Sequence, residues 1–272
     1  MKLSFFTLGC PEWTIEQIAS NAKLCGYEGV ELRVADDGNH LLPNASAAEA
    51  KRVAAVFRDA GVAIASFGAY PRFAILDPAE VARNADTLRR IIGMAGDIGV
   101  PFIRAYAGQL PKGSEFDEIV KKVSDSFRPM AAEAAERGVR IGLETHDDWC
   151  AGDRLMKIIS AVGSKSLGVV YDILNTFTAG LEPWEESYRK MKGSILYCHM
   201  KDGYTGPDGK LHYCMLGAGD LPVNAILSRF KADGFDGYFS FEWEKKWHPE
   251  LEPPERVFPH YAHKMRALWK TV

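Results

Sequence analysis

The feature that most restricts how this chain can fold is a rhythm: short apolar, β-rich runs alternate with longer amphipathic stretches about eight times. The runs are LSFFTLG (3–9), GVELR (29–33), VAIASFG (62–68), PFIRAY (101–106), VRIGLET (139–145), LGVVYD (167–172), SILYCHM (194–200) and YFSFEWE (238–244). Several, LGVV and SILY among them, are apolar without alternation, as strands covered on both faces should be. Helical patterns separate them, over 14–25, 47–60, 79–98, 116–137, 153–162, 183–192, 222–233 and 254–270. In the first, Ile15, Ile18, Ala19 and Ala22 fall at helical spacing behind Thr14, a suitable N-cap. Glycines at 26, 61, 99, 138, 163, 193 and 234 stand between helix and strand, where a left-handed residue can end the helix. Eight β-α units in one domain-sized chain predict a closed parallel barrel, a (β/α)8 TIM barrel forming a single domain over residues 1–272. The rival, an open doubly wound sheet, wants a glycine-rich phosphate turn after its first strand. The turn here is GCPEW, with no GxGxxG. A barrel carries its functional groups at the C-terminal ends of its strands.

Composition narrows the classes further. With 47% hydrophobic residues the chain can fill one large core, and a formal net charge of −3 offers no basic surface for a nucleic-acid backbone. The five cysteines form no CxxC pair and are odd in number, which predicts reduced thiols in a cytoplasmic protein. The N-terminal MKLSFFTLGCPEW is too short in its apolar run for a signal peptide, and no stretch approaches a membrane span. Neither nucleic acid nor membrane is an expected partner.

Four consecutive strand ends then carry a set of metal-binding residue types. The fifth ends in Glu144 and His146 (LETH), the sixth in Asp172 (VVYD), the seventh in His199 (YCHM) and the eighth in Glu242 (FSFE). Taken singly, each has an ordinary explanation: a solvated loop carboxylate, a helix N-cap, a hydrogen-bonded core histidine. In a barrel, however, the four ends converge on one mouth, and three carboxylates packed there would repel each other strongly. A divalent cation removes that penalty. Three oxygen donors and one imidazole suit a fairly hard ion, Mn2+ first, then Mg2+ or Co2+, with Zn2+ preferring more nitrogen or sulfur.

The segments GLETH, YDxxN, HMKD, LGAGD and FEWEKKWHPE resemble those of the xylose-isomerase-like TIM barrel superfamily of sugar phosphate isomerases and epimerases, along essentially the whole chain. That superfamily also includes ketose 3-epimerases, inosose-type dehydratases and the endonuclease IV group. The resemblance implies that Glu144, Asp172, His199 and Glu242 bind one divalent metal ion. It also implies that Glu144 and Glu242, on opposite sides of the reacting carbon, act as acid and base. The endonuclease branch needs more strand-end histidines and a basic face than this chain has. Barrels of this kind often assemble as dimers or tetramers, so the resemblance extends to a homo-oligomer.

The implied chemistry is coherent. A metal spreads the charge of an enediolate made when a carboxylate takes the proton beside a carbonyl. Returning the proton to the other face gives an epimer, and returning it to the neighbouring carbon gives an isomer. Losing a β-hydroxyl instead gives a dehydratase or lyase, acting on a keto-sugar or cyclitol in the manner of an inosose dehydratase or a 3-keto-glycoside-cleaving enzyme. The leading expectation is a metal-dependent isomerase or epimerase of a small sugar or sugar phosphate.

Expected substrate-binding residues are His146, which strand alternation puts on the side of Glu144, Asn175, Lys201, Arg104 and Trp149. Asn175 stands where many family members have a histidine, and an amide cannot shuttle a proton near neutral pH. Glu31 and Arg33, ending the second run, are weaker candidates, as are Phe6, Trp13 and Tyr70 for the pocket wall. The glycines of LGAGDLP (216–222) could let backbone approach an oxygen, and KKWHPELEPPE (245–255) reads as a proline-stiffened loop over the mouth.

Overall fold

The computed structural model describes residues 1–272. Its centre is a closed parallel barrel of eight strands: β1 (Lys2–Phe6), β2 (Gly29–Arg33), β3 (Ala63–Gly68), β4 (Phe102–Ala105), β5 (Arg140–Glu144), β6 (Leu167–Asp172), β7 (Ile195–Met200) and β10 (Tyr238–Phe241). Between the last two barrel strands stands an antiparallel ribbon, β8 (Asp202–Thr205) with β9 (Leu211–Cys214). Around the barrel lie α1 (Ile15–Leu24), α2 (Ala47–Ala60), α3 (Pro78–Ile98), α4 (Phe116–Glu136), α5 (Gly152–Val162), α6 (Ile173–Ala179), α7 (Trp184–Met191), α8 (Val223–Ala232) and α9 (Pro254–Thr271). This is the (β/α)8 TIM barrel that the alternation predicts.

Local chemistry explains the boundaries. The Thr14 hydroxyl accepts from the Gln17 N–H while the Gln17 side chain accepts from the Thr14 N–H, a capping box that starts α1. Asp77 caps α3 ahead of Pro78, whose missing N–H costs nothing at the first helical position. Gly61 and Gly99 end α2 and α3 at φ of +73° and +79°. Every residue of β2 and β6 is buried, which is why their sequences do not alternate. The packed interior between sheet and helices is one continuous cluster of 68 residues.

All eight runs become strands, four of them trimmed at their C-terminal ends and two, β2 and β6, with the bounds unchanged. The first stops at Phe6 and continues as a 3-10 turn, Thr7–Gly9; the last stops at Phe241, leaving Glu242 just beyond. Gly193 does not adopt the left-handed conformation that the other six inter-element glycines share. The ribbon and α6 have no counterpart in the pattern of eight units. All five cysteines are free, and no helix is long and apolar enough to cross a membrane.

Candidate metal centre

The barrel register places the chemistry. Asp172 pairs with His199 across β6 and β7, and His199 pairs with Ser240 of β10. Glu144 closes β5 and Glu242 follows β10 directly. The register slips between Val30 and Glu31 in β2 and between Val169 and Val170 in β6, irregularities of the kind that re-aim side chains near functional sites. One ligand atom from each of Glu144, Asp172, His199 and Glu242 lies within 4.8 Å of the others, and all four residues are buried. His199 Nδ1 is 2.7 Å from Glu144 Oε1 and 3.4 Å from Glu242 Oε1, so both glutamates lie against it.

Two permanent cations serve this cluster. Arg104 of β4 donates through Nε to Glu144 Oε2 at 2.8 Å, a second time through Nη2 to the same oxygen, and through Nη1 to the Ala69 carbonyl. Its guanidinium stacks on Tyr70 and Tyr106. Lys201 sits 2.8 Å from Asp172 Oδ2 and donates to Glu242 and, at 2.9 Å, to Glu244. Only 2% of Lys201 is exposed, so it is a buried counter-charge and not a solvated loop lysine. A fourth buried carboxylate lies beneath them. Glu31 faces His199 Nε2 at 2.8 Å and also receives Tyr197 OH and Ser240 Oγ.

The charges decide what the cluster can hold. Glu31, Glu144, Asp172 and Glu242 face only two fixed cations, Arg104 and Lys201. A proton on His199 covers one of the two remaining charges; a divalent ion covers both. The shortfall decides which groups hold a proton. Burial pushes Glu144 up, but Arg104 and His199 outweigh it and hold the carboxyl at about 2. Burial also raises Glu242, and Lys201 and His199 bring it well below the carboxylate range. Asp172 is left over: burial and its two glutamate neighbours lift it to about 7 in spite of Lys201. Burial lowers His199, but Glu31, Glu242 and Glu144 together raise it well above an ordinary imidazole, so it carries the missing proton. The donor set, its convergence and its uncompensated charge all fit one divalent cation.

The expected substrate residues fall into two groups. Arg104 and Lys201 join the cluster directly. Asn175, one turn into α6, donates its amide to the Thr145 carbonyl at 3.2 Å and its backbone N–H to Asp172 Oδ1 at 2.8 Å. Asp172 therefore caps α6 with one oxygen and faces the cluster with the other. His146 lies at the rim with its ring against Tyr106 and Nδ1 2.9 Å from Asp147. Asp147, at φ +50°, is the one non-glycine residue with a left-handed backbone, a local strain beside the site. Trp149 departs from expectation: it is fully buried, its indole N–H bonds the Gly108 carbonyl at 2.7 Å and its ring packs on Phe116. Covered by protein on all sides, it braces the loop after β4.

Other candidates also find places. Phe6 stacks on the His199 ring, and Arg33 lies between Tyr70 and Trp247 while paired with Asp37. Trp13 bonds Glu255, so the 245–255 segment is tied to the loop after β1 around a cavity of 420 Å³. Larger clefts of 820 and 620 Å³ open beside the starts of β6 and β3, at the opposite end of the barrel. The glycine backbone of 216–222 does approach an oxygen, but the protein's own. Asp202 accepts from the N–H groups of Gly203, Gly217, Gly219 and Leu221.

The family model for the xylose isomerase-like TIM barrel matches residues 19–267. The chain belongs to this family. An uncharacterized Methanocaldococcus jannaschii protein, MJ1311, is 24% identical over 184 residues; the match spans 62% of this chain and only 61% of that relative. Among solved structures, the IolI protein with a bound zinc atom superposes with a TM-score of 0.83 at 19% identity, covering 100% of this chain and 99% of that one. An L-ribulose 3-epimerase superposes with a TM-score of 0.80 at 18% identity, covering 100% and 95%. At such identities the likeness of these family members establishes the shared barrel.

Proposed function

We propose that this protein is a divalent-metal-dependent isomerase or epimerase of a small sugar or sugar phosphate, with Mn2+ the preferred ion. The observation that carries the reading is the convergence of Glu144, Asp172, His199 and Glu242 within 4.8 Å, with a charge deficit that a dication fills. The zinc in the IolI structure and the epimerase activity in the name of the ribulose relative favour it.

In this reading Glu144, Asp172, His199 and Glu242 hold the ion, which supplies positive charge where an oxyanion develops. Glu144 and Glu242 both approach His199 Nδ1, and both are held below the usual carboxylate range, so that either can accept a proton at neutral pH. One takes the proton from the carbon beside the substrate carbonyl, leaving an enediolate. The other, which must carry a proton drawn from solvent or from a substrate hydroxyl when the enediolate forms, delivers it to the opposite face, which inverts that carbon. Arg104 fixes the Glu144 carboxylate through one oxygen and leaves Oε1 directed into the cluster. Lys201 holds Glu242 in the same manner. His146 and Asn175, at the rim, are proposed to meet substrate hydroxyls.

A second reading, elimination of a β-hydroxyl from a keto-sugar or cyclitol, is favoured by Lys201. Its ammonium lies against Asp172 and Glu242, where a departing hydroxyl would need a donor. Incubation with Mn2+ and keto-sugars in D2O separates the two. Deuterium gained at carbon without loss of mass supports isomerisation or epimerisation, and loss of water or of an aglycone supports the lyase. Absence of both across ketoses, inososes and 3-keto-glycosides overturns the proposal.

A further inference from the structure

The His199 ring has two nitrogens, and only one points at the carboxylates of the proposed centre. The other, Nε2, faces Glu31 Oε2 at 2.8 Å. Glu31 comes from β2, which is separated from β7 by two strands one way around the barrel and four the other. Its carboxylate collects three donors: His199 Nε2, Ser240 Oγ at 2.9 Å to the same oxygen, and Tyr197 OH at 2.8 Å to Oε1. All four residues are buried, and Phe6 stacks on the imidazole. A carboxylate oxygen that receives the Ser240 hydroxyl is an acceptor, so the facing ring nitrogen must be the donor. The ring therefore keeps its hydrogen on Nε2, and the nitrogen that can exchange its proton for a cation is Nδ1. Nδ1 is also the nitrogen that Glu144 and Glu242 approach.

We infer that Glu31, held by Tyr197 and Ser240, is a positioning residue: it fixes the His199 ring and its tautomer so that Nδ1 is the coordinating atom. The inference rests on the metal-site reading above and extends it to a residue that offers no donor to the ion. Glu31 acts by orientation and by making the imidazole a better electron donor, the two effects by which a carboxylate behind a ligating histidine strengthens a site.

The test measures metal binding and needs no substrate. Mn2+ affinity of the full chain is determined by competition with a chromophoric chelator. Glu31→Gln, which keeps an acceptor but loses the charge, should bind about 10- to 100-fold more weakly, and Glu31→Leu more weakly still. Tyr197→Phe, which removes one bond to the Glu31 carboxylate, should cost about 2- to 10-fold. Because a buried substitution can unfold the chain, the wild-type protein provides an independent readout. With 15N-labelled histidine and 113Cd2+, the His199 ring should show cadmium coupling on Nδ1 and a retained Nε2–H. Coupling on Nε2, or folded Glu31→Gln protein with unchanged Mn2+ affinity, overturns the inference while leaving the metal site standing. Wild-type protein that binds neither Mn2+ nor Cd2+ overturns both.

Discussion

Glu144 and Glu242 are alike in sequence context but held by different cations, Arg104 for one and Lys201 for the other. Each is proposed to move a proton, so Glu144→Gln and Glu242→Gln should each lower turnover by about 10²- to 10⁴-fold. Undiminished epimerisation in either variant would remove that residue from the role, whereas exchange of deuterium into one epimer alone is what the remaining carboxylate should still support. The same residues make metal binding a competition with protons. His199 and Asp172 are raised, Asp172 to about 7, and both must release protons to bind an ion. Mn2+ affinity should therefore climb across roughly pH 6–8, and calorimetry in buffers of different ionisation enthalpy should register proton release. Without metal the signs differ by residue. Glu144 and Glu242, depressed from 4.5, stabilise the fold above that value and lose the contribution as pH falls through their folded values. Asp172, raised from 3.8, and His199, raised from 6.5, stabilise below those values and lose the contribution as pH rises through their folded values. Metal-free protein should thus melt highest in mildly acidic buffer, and saturating Mn2+ should move the optimum upward; an unmoved optimum would separate the ion from these groups. Glu31 shows how such a site hides in sequence. A charged residue inside the apolar run GVELR was the available signal, but only the fold reveals that it meets His199, 168 positions away.

The eight barrel strands were legible because a strand buried on both faces writes a continuous apolar run. The ribbon was not, since β8 and β9 take their order from a neighbour outside their own sequence. DGYT and LHYC are short and mixed in polarity, and β8 ends in two exposed residues. What organises them is Asp202, directly after Lys201, whose buried carboxylate gathers the N–H groups of Gly203, Gly217, Gly219 and Leu221. The LGAGD motif gave the right property, a backbone able to approach an oxygen, but no way to tell that the oxygen belongs to the chain. Similarly, α6 is too short to establish a period and depends on the Asp172 cap. Asp202→Ala should leave four amides without their acceptor and destabilise the protein by about 2–3 kcal/mol. Hydrogen exchange should rise over 203–221 and leave the barrel strands protected. Uniform loosening of the barrel would assign Asp202 to the core instead, and no change would deny it any anchoring role. Gly219→Ala should reproduce the effect, because a Cβ there collides with Asp202 Oδ1 and the Gly203 carbonyl.

At the scale of the molecule, the charged network ties the barrel across its interior. Arg104 links β4 to the end of β5, Lys201 links the end of β7 to β6 and to the segment after β10, and Glu31 carries the linkage over to β2. The unfolded chain scatters these groups over more than two hundred residues, so an ion held by the four ligands binds the folded state alone. Mass action then converts affinity into stability: about 2.7 kcal/mol when free ion exceeds its dissociation constant 100-fold. For a domain of this size that corresponds to a rise in Tm of roughly 5–10 °C. Removing the ion should not unfold the protein. Arg104, Lys201 and the proton on His199 together offset three of the four buried negative charges, and the raised Asp172 carboxyl absorbs much of the rest. Chelation should therefore lower Tm reversibly by that same interval and leave the far-UV circular dichroism at room temperature unchanged. A chelated protein that loses its secondary structure would mean the cation is part of the core, as in structural zinc domains. A Tm indifferent to both Mn2+ and chelator would mean that the charge deficit is met by protons alone.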